Sequence, residues 1–164
     1  MRRLAPAILV LALVACGPDT VSLRPGRLTA TPATPATRQG PSLTCGSAPV
    51  TVTYLPEGLS RGPRFARIRS LTRPLEVRGL SWRGAGEELR VGVVCGVRSA
   101  GRFATLVSRS VLYAHRGRPA LRWRTRGGVR NHMWLERPGT AVYVAATPGL
   151  AREVRRVAAG VMPP

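Results

Sequence analysis

The chain has 164 residues, of which 26 are arginine and none is lysine, against seven acidic residues, for a formal net charge of +19. That length leaves room for one domain with one modest core rather than several. A GC-rich genome produces arginine-only basicity by codon choice, but codon choice does not deplete Asp and Glu, so the charge predicts some affinity for polyanions.

The first element is an address. Arg2 and Arg3 precede an apolar run at residues 4–14, too short to cross about 30 Å of hydrocarbon as a helix. It ends at Leu13-Val14-Ala15-Cys16, which resembles the lipobox of bacterial lipoprotein signal peptides. The resemblance implies cleavage after Ala15, diacylation of Cys16 and a mature protein held on the outer face of a membrane. Each buried methylene contributes about 0.8 kcal/mol, so two acyl chains anchor far more durably than one. An ordinary secretory signal with a chance cysteine is the alternative. The expected organisation is a cleaved signal at 1–15, a lipidated tether at 16–41 and a small domain at 42–164. In this extracytoplasmic setting the available anions are lipid head groups, phosphate-bearing wall polymers and acidic proteins. Nucleic acid is not expected as a partner.

Residues 17–41 repeat Thr-Pro-Ala and carry almost nothing apolar. Proline biases such a segment toward extended geometry at about 3.1 Å per residue, enough to lift a domain tens of ångströms from a bilayer. The composition also permits O-glycosylation. With Cys16 assigned to lipid, Cys45 and Cys95 remain as an even pair in an oxidising space and are expected to form a disulfide. Closing that loop contributes roughly 4 kcal/mol in the chain-entropy picture. Two buried free thiols are the alternative.

Short strands follow, punctuated by glycine and proline. Val50, Val52 and Tyr54 alternate with Thr51 and Thr53. Residues 75–82 change apolar phase at Gly79, which suggests a β-bulge there. Leu89, Val91, Val93 and Cys95 share one face of the next strand, and the Arg83-Gly84-Ala85-Gly86 stretch is a hairpin between the two. Strands are expected at 109–115, around Leu121 and Trp123, at 129–136 and at Thr140–Ala146. Gly127-Gly128 and Arg137-Pro138-Gly139 serve as turns. Thr147 and Pro148 read as N-cap and first turn of a helix whose apolar stripe is Leu150, Val154, Val157, Ala158 and Val161. Residues 59–74 show no clean period. The expected fold class is α+β, an antiparallel β-meander with a C-terminal amphipathic helix packed on the sheet.

The order Leu55-Pro56-x-Gly58, Arg116-Gly117-Arg118-Pro119-Ala120, Met133-Trp134-Leu135-Glu136-Arg137-Pro138-Gly139 and a closing helix at 150–160 resembles extracytoplasmic domains of actinobacterial lipoproteins. It is also similar to the LPxG-containing tails of some anti-sigma-type membrane proteins. These motifs are turns and core aromatics. The resemblance implies a non-catalytic domain of unknown ligand; unlike the anti-sigma arrangement, no cytoplasmic part is expected here, which argues against direct transcriptional regulation.

For catalysis the sequence offers His115, His132 and scattered glutamates without motif spacing, and no GxSxG, HExxH or phosphate loop. His132 and Glu136 fall on one strand face with Arg130 and Trp134, a row expected to be a solvated sheet face, with a His132–Glu136 hydrolase as the minor alternative. Trp82 and Trp134 are expected at the core or its edge. Catalytic residues, a metal site and a cofactor are not expected. The sharper candidate is an anion-binding stripe: Arg122, Arg124 and Arg126 at period-two spacing, with Arg130 across the turn. The expected function is a non-catalytic binding or sensing domain for an envelope ligand or an acidic protein partner. The alternative is an electrostatic wall- or membrane-associated structural protein.

Overall fold

The computed structural model describes residues 40–163; Cys16, its lipobox and the tether before Gly40 lie outside the described residues. The strands are β1 (Ser42–Thr44), β2 (Pro49–Val52), β3 (Ser60–Phe65), β4 (Val77–Gly84), β5 (Glu87–Cys95), β6 (Val111–His115), β7 (Arg118–Arg124), β8 (Arg130–Arg137), β9 (Thr140–Ala146) and β10 (Val161–Met162). Two short helices, α1 (Ala100–Ala104) and α2 (Glu153–Ala159), complete the described elements beside a 3-10 turn at Pro148–Leu150. The class is α+β and dominated by antiparallel sheet.

The large sheet has seven strands in the order β3-β4-β5-β9-β8-β7-β6, and a three-stranded sheet has the order β1-β2-β10. This corrects the single meander. Two meanders, β3 to β5 and β6 to β9, join through an antiparallel β5–β9 pair running from Leu89↔Ala146 to Cys95↔Thr140. Residue content explains the order. β9 is buried at every position and β5 buries Leu89, Val91 and Val93 on one face and Val94 on the other. Strands apolar on both faces belong in the middle of a covered sheet. β3, with Arg61, Pro63 and Arg64, takes one edge and the short β6 the other.

Both faces are covered. On the first, Leu80, Trp82, Leu89, Val91, Trp134, Val142 and Val144 pack with Leu43, Val50, Val52 and Val161 of the small sheet and with Val154, Val157 and Ala158 of α2. On the second, Val77, Val94, Leu121, Met133 and Tyr143 pack with Phe103 of α1, the following Leu106 and Val107, and Ile68. Cys95 packs on the first face, as expected, and is bonded to Cys45 with a Cα–Cα distance of 5.4 Å.

Double coverage also removes the expected bulge at Gly79. The β4–β5 register runs unbroken from Val77↔Val94 to Gly84↔Glu87, and the apolar phase changes because Val77 serves the second face while Leu80 and Trp82 serve the first. The irregularity lies in β3 instead, between Arg61 and Arg64. Gly79 is bare because the Phe65 ring rests on it: a Cβ there would meet Phe65 Cζ at 2.2 Å.

The chain's end departs from expectation too. Thr147 and Pro148 do stand at the N-cap and first position, but of a 3-10 turn, and the Thr147 hydroxyl makes no capping bond; it accepts from the Glu88 amide at 2.7 Å, tying the β9 exit to β5. The α-helix starts only at Glu153, and Val161 belongs to β10 rather than to a helical stripe. The folded part also begins slightly before residue 42, since Pro41 accepts the Val52 amide at 3.0 Å.

Candidate functional site

The β6–β7 hairpin turns through Arg116 and Gly117, both at positive φ (51° and 74°), a two-residue geometry whose twist matches the flanking strands. It sets Val111 opposite Arg122, Tyr113 opposite Ala120 and His115 opposite Arg118. The next pairing sets Arg122 opposite His132 and Arg124 opposite Arg130. Strand alternation thus gathers Tyr113, His115, Arg122, Arg124, Arg130 and His132 on the first face. Helix α2 covers only part of that face. Between α2 and the hairpin remains a cleft of about 670 Å³ lined by those six side chains, with Val111, Ala151, Val154, Arg155 and Ala158 on its rim and helical wall. At one end Arg116 reaches across and donates to the Ala159 carbonyl of α2 at 2.8 Å.

The cleft is cationic. None of Arg122, Arg124, Arg130 and Arg155 forms an ion pair among the described residues, whereas Arg78, Arg83, Arg90, Arg118 and Arg156 all do. No carboxylate among the described residues lines it. Arg122 lies over the Tyr113 ring, its guanidinium carbon 5.6 Å from the centroid. Four guanidinium groups around one cleft repel one another, and a bound anion relieves that repulsion while accepting paired hydrogen bonds.

The floor is aromatic and uncharged. His132 is buried, its imidazole Nδ1 bonded to the Tyr113 hydroxyl, with the His115 ring centroid 4.8 Å and the Trp134 centroid 5.1 Å away. Burial, reinforced by His115 and Arg155, pushes its pKa down to about 4. Burial and then Arg116 lower His115 as well, and burial raises Tyr113. At neutral pH these groups are therefore hydrogen-bonding partners rather than charges. His115 Nε2 is a buried nitrogen without a hydrogen-bond partner among the described residues.

Several expectations are corrected. Of the expected row, Arg130 is exposed, but His132, Trp134 and Glu136 are buried rather than solvated, with α2 packed against Trp134. Glu136 is not His132's partner: one carboxylate oxygen accepts from Arg118 and the other from Trp134 Nε1 at 2.8 Å. Arg126 leaves the stripe, since β7 ends at Arg124 and Arg126 sits in the following turn. Arg122, Arg124 and Arg130 do come together. Arg155, on the polar side of the expected helix, joins them because α2 stands over β8 and β9, which sequence spacing alone does not reveal.

A second cleft of about 560 Å³ lies between β1 and the β3–β4 hairpin, with Arg61, Arg64 and Arg78 around Leu43 and Phe65. There Arg78 already donates to Glu76 at 2.7 Å and to the Thr44 carbonyl at 3.2 Å. Its cationic demand is partly met within the fold. Among the described residues no three His, Cys, Asp or Glu side chains converge as metal ligands would. No protein-family model, curated protein or solved structure matches this chain.

Proposed function

We propose that this protein is a membrane-anchored extracytoplasmic lipoprotein whose folded part is a non-catalytic binding module for an anionic ligand of the cell envelope. The observation that carries the binding half is the cleft, where four guanidinium groups without an ion pair among the described residues surround a hydrogen-bonding aromatic floor and no acid among those residues lines the walls. Commitment of Glu136 to Arg118 and Trp134 supports a non-catalytic role, because it leaves His132 without a carboxylate partner. The anchoring half rests on the resemblance around Cys16. Labelling with an alkyne fatty acid tests it: the chain labels, and Cys16→Ser does not; equal labelling of both sinks the anchor.

Binding is tested on the full chain in zwitterionic micelles, titrated with wall polymer, polyglutamate and a soluble anionic lipid across a range of salt. Affinity falls steeply with salt, and the slope decreases by about one for each cleft arginine changed to serine that had met an anionic group. Equal losses on removing Arg61, Arg64 and Arg78 would mark a diffuse arginine surface, the structural-protein alternative. No binding at low salt ends the anion-binding reading.

A further inference from the structure

The two edges of the large sheet are guarded unequally. β3 carries Arg61, Pro63 and Arg64 and a break in register, the features that discourage a further strand from pairing. β6, Val-Leu-Tyr-Ala-His, has no charge, no proline and no irregularity, and pairs with β7 alone among the described residues. Val111 is 53% and Leu112 56% exposed on it. Its outward amides and carbonyls form a template for one more strand.

Resting on the anion-binding reading above, we propose that the cleft's occupant is an extended acidic polypeptide segment of another protein, added as a strand beside β6. The cleft and the open edge are contiguous, since Val111, Tyr113 and His115 belong to both. Arg122 already leans from β7 onto β6, its guanidinium over Tyr113. Neighbouring strands lie about 4.8 Å apart, so a carboxylate on a strand beyond β6 comes within its reach. Alternate side chains of the guest would face the cleft cations on one side and Leu112 on the other. The preferred segment therefore alternates acidic and apolar residues. A second copy of this chain is a poor occupant, because the same excess of arginine over acidic residues makes it strongly cationic and it repels the same cleft.

The test uses the full chain in zwitterionic micelles with an octapeptide of four Glu-Val repeats. Two further versions are N-methylated, one on every glutamate amide and one on every valine amide. The parent peptide binds and slows amide exchange across Val111–His115. One methylated version, the one whose blocked amides point at β6, binds at least about tenfold more weakly, and the other keeps its affinity. Equal binding of all three peptides, or no protection of β6, overturns strand addition. Failure of the peptide where polyphosphate still binds overturns the polypeptide partner and leaves the anion cleft standing. Failure of both probes at low salt overturns the cleft with it.

Discussion

The two faces of the large sheet are built from the same strands and end in opposite electrostatic states. On the second face the buried polar groups answer one another: the Tyr143 hydroxyl donates to Asn131 Oδ1 at 2.7 Å, Asn131 Nδ2 donates to the Val129 carbonyl at 2.9 Å, and Trp123 Nε1 donates to Ser70 at 3.1 Å. On the first face, Arg122, Arg124 and Arg130 of the β6–β8 half and Arg155 of the overlying α2 form no ion pair among the described residues, and an imidazole nitrogen there has no hydrogen-bond partner among them. A closed face needs only the fold to satisfy it. An open one holds unmet hydrogen-bonding and charge, which is what a binding surface presents before its ligand arrives.

That contrast can be broken or sharpened by experiment. The largest loss is expected from replacing Cys45 and Cys95 by alanine, about 4 kcal/mol of stability in a denaturant titration, because the cross-link closes a 50-residue loop. Acid comes next and acts through the open face. The unfolded chain protonates His132 near 6.5, whereas the folded protein resists until about 4, so stability is whole above about pH 6.5 and falls as pH drops toward 4. The expected loss is about 3 kcal/mol, in a denaturant series across pH, and polyphosphate in the cleft blunts it. His115, shifted in the same direction, adds to it.

On the closed face, Phe103→Ala costs about 3 kcal/mol by leaving a cavity, while salt-dependent anion binding by the folded protein is unchanged. Tyr143→Phe strands the buried Asn131 carbonyl and costs about 1–2 kcal/mol in the same titration. Arg122→Ser, on the open face, changes stability by no more than about 0.5 kcal/mol yet weakens anion binding, since that guanidinium has no carboxylate partner among the described residues. A large stability loss there would erase the distinction between the faces.

Strands β5 and β7 to β9 and their turns are legible in the sequence, because glycine at the turns and apolar positions along the strands mark them locally. Their order is not. Nothing near β5 says that β9 rather than β6 lies beside it; the signal is that both are apolar on two faces, a property of composition rather than of spacing. α1 escapes notice because five residues containing Gly101 make a weak helix, held by Phe103 packing and by Ser99 accepting the Arg102 amide at 3.3 Å. β1 and β10 are too short to show a period. At the site, alternation places Arg122 and Arg124 together, while Arg126 fails because the strand stops first. Tyr113 and Arg155 depend on hairpin pairing and on where α2 comes to rest, which are tertiary facts.

The disulfide has a mechanical consequence. Any pull on this protein through the residues before Gly40 reaches the fold at Pro41 and runs into β1, which has three residues. Four positions after Pro41 the load meets Cys45, bonded to Cys95 at the end of the central strand β5. Traction can peel β1 away, but it then passes through a covalent bond into the most deeply paired part of the sheet. The Cys45–Cys95 loop spans β2 to β5 and cannot be drawn out from that side, so such a force strains the middle of the molecule before it disturbs the cleft beside β6.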